Sequence, residues 1–171
     1  NEIKERMCLL GESGDYDIVI TEIGGTVGDI ESLPYVEAVR QLIWELGDEN
    51  AMVIHLTLVP YLSAAGELKT KPTQHSVKTL MESGVKANVL VCRTEHKISD
   101  DIKRKLALFC NVKQEAVIES IDAETIYDVP LLMLDEGLDQ VVLNMLKLES
   151  RTINLDQWKE FLRKHKNPKE Q

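Results

Sequence analysis

Residues 88–121 read NVLVCRTEHKISDDIKRKLALFCNVKQEAVIESI and contain the arrangement that decides the fold. Two short β-branched runs, NVLVCRT and AVIESI, enclose a segment in which Ile102, Leu106 and Phe109 recur at helical spacing. Ser99 stands at the expected N-cap, and two aspartates follow it at the positive end of the helix dipole. The stretch therefore predicts a strand, a helix and a second strand, as in a parallel sheet.

Similar apolar runs occur at residues 16–23, YDIVITEI, and 51–59, AMVIHLTLV. None of the four runs alternates apolar with polar residues for long, which predicts strands covered on both faces. Helical stripes follow Pro34 and Pro72, each in the tolerated first turn. Their apolar members are Val36, Val39, Ile43 and Leu46 in the first stripe, and Val77, Leu80 and Met81 in the second. We predict an α/β domain with a mostly parallel sheet flanked by helices.

The C-terminal third continues with helices. Residues 124–148 have the pattern of short helices closing one edge of the sheet. Residues 154–166 form an amphipathic pattern in which Asn154 and Gln157 suggest a capping box. The shared apolar face of that helix holds Leu155, Trp158 and Leu162. We assign residues 1–150 to one domain, and residues 151–171 to a basic helix that serves as a linker or docking element.

The charge of the chain is uneven. The formal net charge is -9 over 171 residues, whereas residues 151–171 hold six Lys/Arg against three Asp/Glu, a net charge of +3. The preceding 150 residues therefore carry a net charge of -12. Because a phosphate backbone is bound by clustered Lys/Arg, an acidic body argues against nucleic acid as the main partner.

Other features exclude several classes of protein. The first residues lack the pattern of a secretory signal, and no run of about eighteen apolar residues predicts a membrane span. The three cysteines, an odd number, favour reduced and buried thiols in a cytoplasmic protein. His75 and His96 have no Cys or His at metal-ligand spacing, so a zinc site is not expected. His55, within a predicted strand, is expected to be a satisfied core histidine.

Polar motifs fall where predicted strands end, the usual place for ligands in a parallel sheet. In TEIGGTVGDIES, Glu22 closes a strand, three glycines follow, and Asp29 and Glu31 add carboxylates. Read alone, the string favours a simpler interpretation, a glycine-rich turn before a helix with acidic first residues. It is not a phosphate-binding P-loop, because the G-K-[ST] ending is absent.

The second motif, GELKTKPTQHS, predicts an anion site. Lys69 and Lys71 flank Thr70, and Pro72 opens a helix whose N–H groups and dipole favour anions. The alternative is a solvated lysine pair at a helix cap. The run of three basic residues from 103 to 105 reads as a solvated helix face, and the backbone groups of SIDAET could meet a planar base.

Three strings carry a family resemblance: EIGGTVGDIESLPYVEAVRQ, HLTLVPYLSAAGELKTKPTQHSVKTL and KLALFCNV. They resemble the synthetase (amidoligase) domain of CTP synthases, in register from about residue 3 to residue 148, which implies a P-loop-NTPase-like α/β fold. The family uses ATP to phosphorylate the 4-oxygen of UTP, and ammonia from glutamine then displaces the phosphate to give CTP.

The resemblance also implies roles for single residues. Glu22 would be a Mg²⁺ ligand at the ATP site. The other residues would bind nucleotides: Asp29, Ile30 and Glu31 the feedback inhibitor CTP; Lys69, Thr70, Lys71, Pro72, Thr73, Gln74 and Lys105 the pyrimidine nucleotide; and Ile121, Asp122 and Ala123 the adenine of ATP. None of the cysteines matches the nucleophile of the family's glutaminase domain.

The family's P-loop and a second Mg²⁺ ligand would lie before residue 1, and its glutaminase domain after residue 171. We therefore expect an incomplete domain, inactive by itself, from a cytoplasmic homotetramer. Two alternatives stay open at this point. One is another ATP-dependent ligase of the same broad fold, such as a relative of dethiobiotin synthetase, although the KTKPTQ block argues against it. The other is a non-catalytic module that only assembles with other subunits.

Overall fold

The computed structural model describes residues 1–150 and 152–168. Two short 3₁₀ turns in these ranges are Gln114–Ala116 and Ile126–Asp128. The α-helices of the same ranges, α1 to α7 in chain order, are Glu2–Glu12, Leu33–Leu46, Lys71–Glu82, Asp100–Cys110, Val129–Asp135, Leu138–Met145 and Asp156–Lys166. The first of these helices has no counterpart among the sequence predictions.

Three parallel strands form the central sheet. The strands of the described chain, β1 to β5, are Ile54–Leu58, Tyr61–Leu62, Glu67–Leu68, Val89–Thr94 and Val117–Ile121. β4 lies between β1 and β5, and β2 pairs with β3 in a separate two-stranded hairpin. The predicted α/β fold, a parallel sheet flanked by helices, is confirmed.

Both faces of the central strand β4 are covered. Leu90 and Cys92 face a core to which α2, α3 and α4 contribute, while Val89 and Val91 pack on the other side with residues of α5 and α6. The helices of residues 124–148 therefore cover a face of the sheet, not an edge as predicted. Packing of this kind explains the continuous apolar run of β4.

The strand prediction for residues 16–23 is wrong. These residues pair with no strand of the described chain, and Ile20 is 89% exposed. β1 also departs from expectation, because its Ile54, Leu56 and Leu58 side chains are exposed on one face while His55 and Thr57 are buried on the other. An apolar run shows that a segment can be buried, but a neighbouring element must supply the cover.

The predicted helical stripes are largely confirmed. Val36, Val77, Leu80 and Leu106 are buried in the core formed by α2, α3 and α4. Ser99 caps α4, with its hydroxyl oxygen accepting a hydrogen bond from the Ile102 backbone at 3.4 Å. The prediction is wrong for three stripe members, since all three are exposed: Leu46, Met81 and Phe109.

The last helix begins later than the capping box requires. α7 starts at Asp156, and Asn154 Oδ1 accepts from the Asp156 backbone N–H at 2.9 Å, so the predicted box with Gln157 is wrong. Leu162 of the predicted apolar face is buried. Arg151 and residues 169–171 of the predicted linker lie outside the described residues.

The three thiols are free, and two of them, Cys92 and Cys110, are buried as predicted, while Cys8 is half-buried. Among the helices of the described ranges, none combines the length and the apolar character that a bilayer span needs.

His55 is a satisfied core residue, as predicted. Its Nε2 lies 2.8 Å from the hydroxyl of Ser76 on α3. Burial lowers the pKa of His55 below its ordinary value of 6.5. The folded chain therefore holds this imidazole neutral at a pH where the unfolded chain protonates it.

We expect acidification below pH 6.5 to destabilise the folded chain partly through His55. In that range the unfolded state binds the extra proton, so the free energy of unfolding falls as the pH falls. Urea unfolding at about pH 7.5 and about pH 5.5 should show a smaller loss for His55→Gln than for the parent. Equal losses in the two proteins would contradict this role.

Candidate functional site

Most of the predicted ligand-binding residues lie near the carboxyl edge of the sheet. β1, β4 and β5 run parallel, so their last residues Leu58, Thr94 and Ile121 share that edge. The Asp122 backbone N–H donates to the Thr94 oxygen at 2.9 Å, which continues the pairing past the end of β5. Ligands of open parallel sheets usually bind at this edge.

The β2–β3 hairpin folds back over the same edge. The Lys69 backbone N–H donates to the Pro60 oxygen at 2.9 Å. This hydrogen bond closes the hairpin and holds the start of α3 next to the end of β1. The rings of Tyr61 and His96 meet with their centroids 4.0 Å apart. Sequence reasoning missed this contact, because nothing in the sequence relates a tyrosine and a histidine so far apart.

The start of α3 is open to an anion. Thr70 occupies the N-cap, no described side chain caps the helix there, and the first turn holds no acidic residue. Instead, the Thr70 hydroxyl accepts from Gln74 Nε2 at 3.1 Å. Lys71 is exposed and forms no ion pair with any residue in the ranges 1–150 and 152–168. Free N–H groups and an uncompensated ammonium thus coincide at one helix end.

The positive charges of Lys69 and Lys105 both act on one carboxylate beside this helix, that of Glu67. The hydrogen bond from Lys69 Nζ holds the pKa of Glu67 below its usual range, and the charge of Lys105 lowers that pKa further. The charge of Lys105, on α4, therefore acts on a residue of the hairpin that is far from it in sequence. With Lys71, these four side chains leave an excess of two positive charges in an acidic protein.

A groove of about 500 Å³ runs beside this helix end. Lys71, Gln74 and His75 line it from α3, and Phe109 lines it from α4. The exposed Met81 is also part of its lining. Two of the exposed stripe residues, Met81 and Phe109, are thus apolar surfaces of a groove that begins at the cationic helix end.

Thr73 differs from its neighbours in the block. It is fully buried, and its hydroxyl donates toward the Leu58 oxygen at 3.0 Å and the Thr57 hydroxyl at 3.1 Å. Thr73 belongs to the predicted pyrimidine-nucleotide block, and in the structure its hydroxyl joins α3 to β1. That contact fixes the first turn of α3 relative to the sheet edge.

Replacing Thr73 by Val should lower the free energy of unfolding by about 1–3 kcal/mol, because the oxygens of Leu58 and Thr57 lose a hydrogen-bond donor. Thr73→Ser keeps the hydroxyl and serves as the matched control, with a smaller expected loss. Urea unfolding of the three proteins measures the difference. If the Val variant were as stable as the parent, the joining role would be refuted.

The glycine-rich loop packs against α3. Gly28 has φ +100°, and a Cβ there would lie 2.9 Å from a methyl carbon of Thr79. Ser32 is buried and donates to the Thr26 and Asp29 oxygens at 3.1 and 2.9 Å. This fixed turn presents three exposed side chains, those of Asp29, Ile30 and Glu31.

Comparison with known proteins identifies the family. The family model described as CTP synthase N-terminus matches residues 1–148.

The chain belongs to the CTP synthase N-terminus family.

Curated relatives named CTP synthase resemble the chain along nearly its whole length. Those of Christiangramia forsetii and Flavobacterium psychrophilum are 78% and 77% identical to it over 170 residues, and that of Bacteroides thetaiotaomicron is 59% identical over 167 residues. The alignments cover 99%, 99% and 96% of the chain, but 31%, 32% and 31% of these relatives. The chain thus spans about a third of the length of the CTP synthases it matches.

Glu22, the predicted metal ligand of this CTP synthase domain, is exposed within the unpaired segment of residues 16–23. No group of three or more potential metal ligands occurs among the residues that the structure describes. Mg²⁺ commonly takes one or two carboxylates and completes its shell with water and phosphate oxygens, so a lone glutamate fits this ion.

The predicted adenine stretch lies at the opposite end of the sheet edge from β1. Ile121 closes β5, and Asp122 forms an ion pair with Arg93 at 3.5 Å in addition to its backbone bond to β4. Ala123 is half-buried. The structure thus groups the lysine block with Lys105, holds the acidic loop against the same helix, and places the adenine stretch across the sheet.

Proposed function

We propose that the full-length protein containing this chain is a CTP synthase, and that the chain forms part of its synthetase domain. ATP phosphorylates the 4-oxygen of the uracil ring of UTP. Ammonia then attacks the ring carbon that carries this oxygen and expels the phosphate. Glutamine hydrolysis in a separate domain supplies the ammonia. The observation that carries the proposal is the cationic start of α3, where Lys71 is unpaired among described residues.

The block from Lys69 to Gln74 holds the triphosphate of UTP in this proposal. Lys71 and the free N–H groups of α3 contact phosphate oxygens, and Lys105 adds a third cation. Asp29, Ile30 and Glu31 contact the product CTP, which inhibits the enzyme. Ile121–Ala123 contacts the adenine of ATP through backbone groups.

Glu22 would hold Mg²⁺ at the ATP site. When bound, that ion offsets the negative charge of the nucleotide phosphates. We further propose that residues 151–171 lead from the synthetase domain to the glutaminase domain, and that the enzyme is a cytoplasmic homotetramer.

The test compares the full-length protein with the 171-residue chain in the presence of UTP, ATP, Mg²⁺ and ammonia. We expect CTP from the full-length protein. Positioning and charge stabilisation of the phosphates dominate phosphoryl transfer, so a phosphate-binding loop is needed for activity. The chain alone should form none, because its sequence contains no G-K-[ST] phosphate loop. Absence of CTP from the full-length protein would overturn the proposal, and CTP from the chain alone would overturn the statement about the fragment.

A further inference from the structure

The last helix, α7, binds one short segment of the chain. Trp158 Nε1 donates a hydrogen bond to the Tyr127 backbone oxygen at 3.0 Å. The Tyr127 ring meets three rings of α7 edge-on, with centroid distances of 6.2 Å to Trp158, 5.1 Å to Phe161 and 5.2 Å to His165. Rings packed edge to face attract one another beyond their buried area, so Tyr127 is held in both ring and backbone.

Ion pairs extend the same contact. Lys166 Nζ lies 2.9 Å from Asp128 Oδ2 and 3.0 Å from Glu124 Oε2, and the hydrogen bonds to these two carboxylates raise the pKa of Lys166. Within the described residues, every hydrogen bond and ion pair that joins α7 to another element ends on residues 124–128. The polar contacts of this helix therefore serve a single stretch of backbone.

The segment of residues 122–128, which includes that stretch, continues directly from β5. Its start is tied to the sheet, because the Asp122 N–H donates to the Thr94 oxygen at 2.9 Å. Its end turns at residues 126–128, where the Thr125 hydroxyl oxygen accepts from the Tyr127 N–H at 3.4 Å. The path of the chain beyond Ile121 is thus fixed by β4 at one end and by α7 at the other.

We infer that α7 positions the adenine-binding stretch Ile121–Ala123, with Trp158 as a positioning residue; the inference rests on the proposed function of that stretch. Trp158 acts through Tyr127 and does not touch the nucleotide. Backbone groups bind a base well only when their directions are already fixed, because ordering them on binding costs conformational entropy. Loosening Tyr127 therefore weakens ATP binding, while the UTP site on α3 is unaffected.

The test is Trp158→Phe in the full-length enzyme, which removes the indole N–H and keeps a ring in the cluster. We expect the KM for ATP, and the Kd of a non-hydrolysable ATP analogue, to rise about three- to tenfold. The KM for UTP and the kcat at saturating ATP should stay unchanged. Trp44→Phe is the matched control, because Trp44 is 87% exposed on α2 and should affect none of these values.

Unchanged ATP affinity in Trp158→Phe overturns the inference. A parallel rise of both KM values, or a fall in kcat alone, also overturns it, since either result marks a general structural role. If the parent enzyme forms no CTP, the proposed function fails, but the binding assay still decides the positioning role: a loss of analogue affinity limited to Trp158→Phe supports it. A parent that binds no ATP analogue overturns both.

Discussion

Lys71→Ala in the full-length enzyme is expected to weaken UTP binding about ten- to a hundredfold, with little change in ATP binding. Lys71 is exposed at the first turn of α3 and has no carboxylate partner in the described chain. Its charge is therefore free for a phosphate, and the loss of a charge-assisted hydrogen bond is costly. Direct binding measurements with UTP and with an ATP analogue separate the two effects.

Lys69→Ala should have a smaller effect on UTP binding, because Lys69 is already paired with Glu67. The double variant should be worse than either single one but not additively, since both lysines meet one anion. Lys113→Ala is the matched control, an exposed lysine that precedes β5 at the amino edge of the sheet. Intact UTP binding combined with weaker ATP binding in Lys71→Ala would require a different assignment of the block.

Leu106→Ala should lower the free energy of unfolding by about 2–5 kcal/mol. Leu106 is fully buried between α4 and the sheet, so truncation removes apolar contacts and leaves a cavity. Leu108 lies two residues further along the same helix and is 75% exposed, and Leu108→Ala should change stability by less than about 0.5 kcal/mol. Chemical unfolding measures both, and similar losses would show that the core is not where the structure puts it.

The fold was predictable where local pattern and packing agree. The run from residue 88 to residue 121 forms a strand, a capped helix and a strand as its spacing indicates. The run at residues 16–23 is similarly rich in β-branched residues, but it pairs with no strand among the described residues. Periodicity identifies the apolar face of a segment, yet it carries no information about what covers that face, which is why Phe109 was misplaced.

The candidate site was predictable in its residue types but not in its grouping. The lysines flanking Thr70 predict an anion site because they stand at the start of a helix. The influence of the Lys105 charge on Glu67 depends on the packing of α4 in the fold, which the sequence does not reveal. The inward hydroxyl of Thr73 shows that a polar residue within a predicted ligand-binding motif can also contact the core.

The two buried thiols provide a chemical measure of local unfolding of the core. Burial raises the pKa of Cys92, and it raises the pKa of Cys110 to about 11. Because only the thiolate attacks an alkylating reagent, these two sulfurs do not react while they are packed in the native core. At fixed pH, the alkylation rate of Cys92 and Cys110 therefore measures how often the sheet and helices separate and expose them. The alkylation rate of the half-buried Cys8 serves as the internal reference for the activity of the reagent.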